Sequence, residues 1–239
     1  MTGLVDPGST KAGVNPRLKP PDGSLPPAGR LAKVLAGQVL LPVAAWFVVL
    51  CGVGYLLGHQ LKDAVSGEDG VNRWFAAHRT PTWNDITLVV SHLGNTSTII
   101  IGMLVSAFII WRLSHRLREP VALIVGVASQ ALVFLLTTLL IDRQRPDVPK
   151  LDTSPPTSSF PSGHTGASAA LYFGLAIICA TFFERRWLRV LLGVGFALIP
   201  FAVATARLYR GMHHPSDVVF GMLNGLICML IARRALQRA

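Results

Sequence analysis

The chain has 239 residues, of which 51% are hydrophobic and only 14% charged, and its mean hydropathy is +0.49. This composition excludes a soluble globular protein and is typical of an integral membrane protein. The formal net charge of +10 does not indicate a nucleic-acid-binding protein, because the basic residues lie in short segments beside apolar stretches and not on one soluble module.

The N-terminal segment, residues 1–30, differs in composition from the rest of the chain. It contains six of the 16 prolines, five glycines and few large apolar residues. A segment of this kind cannot bury enough apolar surface to fold, so we expect a disordered cytoplasmic tail. It has no apolar core typical of a cleaved signal peptide, and the first apolar stretch is expected to act as an uncleaved anchor. Residues 31–239 are predicted to form a single membrane domain.

Six apolar stretches follow, each long enough or nearly long enough to cross about 30 Å of hydrocarbon as a helix. They predict an all-α, polytopic fold with six transmembrane helices. The tract from Ile86 to Leu93 is expected either to extend the second span or to lie along the membrane interface. The predicted spans are Val34–Leu57, Thr96–Leu113, Val121–Ile141, Thr165–Phe183, Trp187–Ala206 and Ser216–Ala232.

The loop charges predict an orientation for these spans, because Lys and Arg favour the cytoplasmic side of short loops. With the N-terminus inside, the inner segments carry fourteen Lys and Arg residues and four acidic residues, whereas bases and acids balance in the outer segments. We therefore expect a multi-pass plasma membrane protein with both termini in the cytoplasm. The loops after the third and fifth spans then lie on the extracytoplasmic side.

The outer loop after the third span ends in the tetrapeptide Pro161-Ser162-Gly163-His164, where the fourth span begins. Ser162 is the expected N-cap of that helix, and the free N–H groups of Gly163 and its successors provide an anion site. The same loop contains Arg143 and Arg145 close to the membrane surface. The sequence therefore predicts an anion site with guanidinium groups at this surface.

The outer loop after the fifth span carries Arg207, His213 and Asp217 in the order R-x5-H-x3-D. The predicted topology brings this group to the same membrane face as His164. Two imidazoles, a carboxylate and several guanidinium groups form a set suited to phosphate chemistry, with a nucleophile, a proton donor and charge-assisted anion ligands. Each residue alone has a plainer interpretation as a cap, turn or interfacial anchor, and we interpret Arg210 as such an anchor.

The order and spacing of these motifs resemble those of the type 2 phosphatidic acid phosphatase family, which includes membrane lipid phosphatases. The family pattern is K-x6-R-P, then P-S-G-H, then S-R-x5-H-x3-D, and the resemblance covers about residues 70–232. Thr138 stands where the family has lysine, and Ala206 stands where it has serine. Arg143 is proposed to supply the positive charge of the missing lysine.

The resemblance implies a mechanism and a set of site residues. The catalytic residues are His213 as nucleophile, Asp217 as the hydrogen-bond partner of its ring, and His164 as general acid and base. The expected phosphate ligands are Arg143, Arg145, Ser162, Gly163 and Arg207. The three cysteines lie inside spans and the acidic residues do not cluster, so no metal and no cofactor are expected.

The predicted function is hydrolysis of a lipid phosphate or pyrophosphate, such as a polyprenyl pyrophosphate, phosphatidic acid or phosphatidylglycerol phosphate, through a phosphohistidine. The expected partners are this lipid and the bilayer, and the sequence leaves the oligomeric state undetermined. Two alternatives remain: a membrane transport or binding protein for phosphate or lipid without hydrolysis, and a lipid phosphotransferase on the same fold. We also expect Asp142, Asp147 and Asp152 to moderate the affinity for product phosphate.

Overall fold

The computed structural model describes residues 25–61, 65–154 and 156–238, and these residues form helices without strands. Most of the predicted N-terminal tail, residues 1–24, lies outside the described residues. Helix α1 begins at Ala28, inside the segment predicted as tail. The helices are α1 Ala28–Gln60, α2 Glu68–Ala77, α3 Pro81–His92, α4 Thr96–Ser114, α5 Arg118–Leu140, α6 Gly163–Phe182, α7 Arg186–Tyr209 and α8 Pro215–Arg238.

Six of these helices, α1 and α4 to α8, are long and apolar enough to cross a membrane. They correspond one to one to the six predicted spans, which confirms the predicted fold class. Their observed ends differ from the predicted ones by a few residues because helices continue past the hydrocarbon into the polar interface. Two stretches of α1 and one of α6 are π-helical.

Helices α2 and α3 are shorter and occupy the link between the first two spans. Thr80 caps α3, accepting a hydrogen bond from the N–H of Trp83 at 3.3 Å, and Pro81 occupies the first turn, where a missing N–H costs nothing. The tract from Ile86 to Leu93 therefore belongs to a separate helix before the second span. The turn Gly94-Asn95 separates α3 from α4.

Helix α8 packs between α5 and α6, and glycines allow the close approach. A Cβ at Gly225 would lie 2.2 Å from the carbonyl oxygen of Gly166, and one at Gly221 would lie 2.4 Å from that of Ser162. Both distances are far below van der Waals contact, so only glycine fits at these positions. The first turn of α6 is consequently held directly against the first turns of α8, and the motifs that carry His164 and Asp217 lie side by side.

Candidate active site

The first turn of α6 is built by Ser162, as the sequence predicts. Its Oγ accepts a long hydrogen bond from the N–H of Thr165 at 3.5 Å and lies 3.0 Å from the Thr165 hydroxyl. Its own N–H donates to the carbonyl of Asp217 at 2.9 Å. Ser162 is therefore a buried helix cap that joins α6 to α8. Gly163 and His164, the next two residues, line a cavity.

His213 lies in the turn between α7 and α8, and its side chain also lines that cavity. Gly211 shapes this turn with a φ of +72°, a left-handed conformation that favours glycine. The Nδ1 of His213 lies 2.8 Å from the carbonyl oxygen of Ser159. Because a carbonyl can only accept, Nδ1 carries the proton and Nε2 carries the free lone pair. The lone pair of Nε2 is therefore not used by this hydrogen bond.

The expected partner of the His213 ring, Asp217, makes different contacts. Its Oδ2 lies 3.8 Å from His213 Nδ1, beyond hydrogen-bond distance, and accepts instead from the N–H of His214 at 2.8 Å and from the ring of His214 at 3.2 Å. Asp217 and His213 are thus at ion-pair distance, and the predicted donation of the Nδ1 proton to Asp217 stays a prediction. The carboxylate holds the turn that carries His213, and the Ser159 carbonyl fixes its tautomer.

The second predicted catalytic histidine, His164, lines the same cavity. Its Nε2 lies 2.7 Å from Oδ1 of Asn95, at the N-cap position of α4. The amide oxygen accepts, so His164 Nε2 bears a proton. Asn95 was missed by the sequence reasoning. Its position at the outer end of the second span, directly before an apolar stretch, was the available signal.

Two predicted phosphate ligands, Arg145 and Arg207, line the cavity with unused donors. Arg145 donates to the carbonyl of Met212 at 2.8 Å, and Arg207 donates to Oγ of Ser91 and to Oδ2 of Asp152, both at 2.8 Å. The Nε–H groups of Arg145 and Arg207 are buried and have no hydrogen-bond partner among the described residues. The positive charge of the two guanidinium groups that line the cavity suits the binding of an anion there.

Arg143 does not line this cavity, which corrects its predicted role as a substitute for the family lysine. Its guanidinium group donates to Asp217, to Oγ of Ser216 at 2.7 Å and to Oε2 of Glu68 at 3.0 Å. Its side chain is 7% exposed, and Asp217 is fully buried. The guanidinium pairs with the fully buried carboxylate of Asp217 and with the partly exposed carboxylate of Glu68, because a buried carboxylate requires a positive partner.

Arg210 is a second correction, since the sequence interpretation made it an interfacial anchor. Its guanidinium binds both oxygens of Asp152, with the shortest contact at 2.6 Å, and donates to Oγ1 of Thr87 at 3.2 Å and to the carbonyl of Asn84 at 2.9 Å. The side chain is 5% exposed. Arg210 therefore joins the loop of Asp152 to α3, and Asp152 bridges it to Arg207.

The charge states of two groups outside the spans follow from these contacts. Burial alone would raise the pKa of Asp152, but the hydrogen bonds and charges of Arg210 and Arg207 outweigh it and lower that pKa, so Asp152 is ionised. Burial lowers the pKa of His213, an effect that Asp217 opposes and that the positive charges of Arg207 and Arg145 reinforce. A histidine with a lowered pKa stays neutral, as a nucleophile must be.

The cavity has a volume of about 460 Å³ and two chemically different kinds of lining. One kind is charged or titratable and includes His164, His213, Arg145, Arg207 and Asp152. The other is apolar and lies on α3, α4 and α5: Leu88, Ile99, Ile100, Val127, Ala131 and Phe134. Within the described ranges, no group of three or more His, Cys, Asp or Glu side chains is arranged to hold a metal ion. The arrangement suits an anion joined to an apolar chain.

The sequence profile of the PAP2 superfamily matches residues 119–239, about half of the chain, which include all three sequence motifs. The chain belongs to the PAP2 superfamily. Helices α2 and α3 precede the matched residues.

Solved structures of the PAP2 superfamily share the fold. The transmembrane PAP2-type phosphatidylglycerolphosphate phosphatase of Bacillus subtilis superposes with a TM-score of 0.69 at 19% identity, covering 83% of this chain and 96% of that one. LpxE of Aquifex aeolicus superposes with a TM-score of 0.57 at 23% identity, covering 69% of this chain and 93% of that one. At such identities the likeness concerns the fold alone.

Two curated relatives match shorter segments. A lipid A 4'-phosphatase of Bacteroides thetaiotaomicron is 41% identical over 66 residues, which is 28% of this chain and 26% of the relative. The bacitracin transport permease protein BcrC of Bacillus licheniformis is 30% identical over 121 residues, which is 48% of this chain and 54% of the relative. The chain thus spans about a quarter and about half of the lengths of these relatives.

Proposed function

We propose that this PAP2 membrane protein is a metal-independent phosphatase that hydrolyses a lipid phosphate or pyrophosphate. The observation that carries the proposal is the shared cavity: His164, His213, Arg145 and Arg207 line it together with apolar side chains of α3, α4 and α5. The two guanidinium groups bind the phosphoryl group, while its lipid chain contacts the apolar side chains. The residues that act on it are His164 and His213, with Arg145, Arg207 and the first turn of α6 as anion ligands.

In the first step, Nε2 of His213 attacks phosphorus and forms an N–P bond. The P–O bond to the lipid alcohol, or to the bridging oxygen of a pyrophosphate, breaks as His164 donates a proton to the leaving oxygen. The positive charge that develops on the His213 ring is stabilised through its Nδ1–H by the Ser159 carbonyl at 2.8 Å. Arg145 and Arg207 stabilise the charge spread over the phosphoryl oxygens.

In the second step, water replaces the lipid alcohol. His164, now deprotonated, accepts a proton from that water, whose oxygen attacks phosphorus. The N–P bond then breaks, the electron pair returns to Nε2 of His213, and orthophosphate leaves. The same two imidazoles therefore serve both half-reactions, each on its own side of phosphorus.

The substrate class follows from the amphipathic cavity and from the relatives. Phosphatidic acid, phosphatidylglycerol phosphate and a polyprenyl pyrophosphate all combine a phosphoryl group with an apolar tail, and the similar proteins include phosphatases named for lipid A and for phosphatidylglycerolphosphate. The bias of basic residues supports an extracytoplasmic site, with both termini in the cytoplasm of a plasma membrane protein. Residues 31–239 constitute the catalytic domain in this proposal.

The test is phosphate release from a panel of these lipids by the purified, detergent-solubilised protein in the presence of EDTA. We expect release by the wild-type protein and a loss of at least about 10³-fold in His213→Ala, because no other residue supplies the attacking nitrogen. His59→Ala, which changes an exposed histidine at the end of α1, is the matched control and retains wild-type activity.

Other outcomes of this assay identify the alternatives. A lipid or sugar product that carries the phosphoryl group, with little free orthophosphate, identifies a phosphotransferase. No turnover of any lipid phosphate, together with phosphate or lipid flux across proteoliposomes, identifies a transport protein. Activity that EDTA abolishes and added metal restores refutes metal independence.

A further inference from the structure

Helix α2, Glu68–Ala77, is the element of the outer face that contacts the turn of His213 most directly. Glu68 and Asn72 are four residues apart and therefore lie on the same face of the helix. That face is packed against the start of α8, whereas Arg73 and Trp74 on the other side are exposed. Helix α2 precedes the residues that match the family profile, and none of the three sequence motifs includes it.

Asn72 holds the backbone of the proposed nucleophile. Its Nδ2 donates to the carbonyl oxygen of His213 at 3.0 Å, and its side chain is 0% exposed. Its Oδ1 is buried without a hydrogen-bond partner among the described residues. An amide with one unpaired buried oxygen lowers the stability of the folded state, since that oxygen loses its hydration without compensation. Its use at this position favours a role in positioning the His213 turn.

Glu68 holds the other end of the same turn. Its carboxylate accepts from the N–H of Ser216 at 2.9 Å and from the Ser216 hydroxyl at 2.8 Å, at the N-terminus of α8. Its Oε2 also binds Arg143 at 3.0 Å, and Arg143 in turn binds Asp217. A carboxylate at a helix N-terminus is favourable on both hydrogen-bonding and dipole grounds. Helix α2 is thus attached to the His213 turn at two points, the carbonyl of His213 itself and Ser216 three residues later.

We infer that α2 is a positioning clamp for the nucleophile, in which Asn72 and Glu68 hold the His213 turn so that Nε2 faces the phosphoryl group. This inference rests on the proposed function. Neither side chain touches the cavity, so both act through His213 and not on the substrate. Displacement of a reacting group by about 1 Å costs on the order of 10²-fold in rate, while substrate affinity is set by other residues.

The test compares Asn72→Ala and Glu68→Gln with the wild type in detergent, using a lipid phosphate that the wild-type protein hydrolyses. We expect kcat to fall by about 10-fold to 10²-fold with KM changed less than about twofold. In rapid-quench experiments the acid-labile phosphoenzyme forms more slowly in both variants, because the attack by Nε2 of His213 is the step that the clamp positions. Arg73→Ala, on the exposed face of α2, is the matched control and keeps wild-type kinetics.

The outcomes separate this inference from the proposed function. Wild-type kinetics in both variants, or a rise in KM with kcat unchanged, overturns the clamp while leaving the phosphatase intact. A wild-type rate of phosphoenzyme formation together with a lower kcat also overturns it, because the slowed step then lies after the attack by His213. If the wild-type protein releases no phosphate from any lipid, the proposed function fails and the clamp fails with it.

Discussion

Replacement of Gly221 by alanine tests whether the contact between α6 and α8 sets the geometry of the site. A Cβ at Gly221 would lie 2.4 Å from the carbonyl oxygen of Ser162 and 3.2 Å from its Cβ. Ordinary contacts are roughly 3.5 Å or more, so α6 and α8 must separate by about 1 Å. Ser162 precedes Gly163 and His164, and this separation moves them away from His213.

Two measurements follow from that displacement. Overpacking of this kind costs about 1–3 kcal/mol, so the thermal unfolding midpoint in detergent falls. A shift of about 1 Å between the two imidazoles lowers kcat by on the order of 10²-fold in the phosphate-release assay. Both effects arise from one added methyl group that is remote from the phosphoryl group itself.

The matched control is Gly195→Ala in α7, where a Cβ would meet no atom within 4 Å. Alanine is the better helix former by about 1 kcal/mol, so this variant keeps its activity and unfolds at the same temperature or higher. If Gly221→Ala has the activity and unfolding midpoint of Gly195→Ala, the tight contact does not control the site and the reasoning is refuted.

Arg145→Ala is expected to lower kcat by about 10²-fold with little change in the free energy of unfolding. Arg143→Ala is expected to lower the free energy of unfolding by about 3–5 kcal/mol, because it leaves the carboxylates that Arg143 binds without their positive partner. Similar unfolding midpoints in the two variants would contradict this difference. Burial lowers the pKa of His213 and keeps its ring neutral to lower pH. Histidine-selective NMR, with the His213 signal assigned from His213→Gln, is therefore expected to give a titration midpoint for His213 below about 6.5. A higher midpoint would refute the lowered pKa. Asp152→Asn removes the carboxylate that competes with phosphate for Arg207. The inhibition constant Ki of orthophosphate is therefore expected to fall roughly tenfold, or about 1.4 kcal/mol. An unchanged Ki is evidence against this competition.

The sequence predicted the spans because each depends on a long run of apolar residues, a signal that needs no tertiary information. It also indicated which residues converge, since alternation across the membrane brings the third and fifth loops to one face. His164, His213, Arg145 and Arg207 accordingly line one cavity. The N-cap role of Ser162 was predictable for a similar reason, because capping depends only on local sequence.

The contacts of Arg143 and Asp217 were beyond sequence reasoning because they depend on a third element. Glu68 lies about 75 residues before Arg143, and only the packing of α2 on α8 brings the two side chains within 3.0 Å. The spacing of His213 and Asp217 suggested a direct contact. Helix α8 begins between them, at Pro215, and the Asp217 carboxylate turns to the N–H of His214. The buried role of Arg210 likewise depends on Asp152, 58 residues away in the chain.

The central claim is that His213 carries the phosphoryl group during turnover. The most direct test uses a lipid phosphate labelled at the reacting phosphorus, acid-free quenching within the first turnover, and peptide mapping by mass spectrometry. The account predicts an acid-labile phosphohistidine on the peptide containing His213, absent from His213→Ala. Turnover without a phosphoenzyme, or a label on another residue such as His164 or His214, would contradict the account.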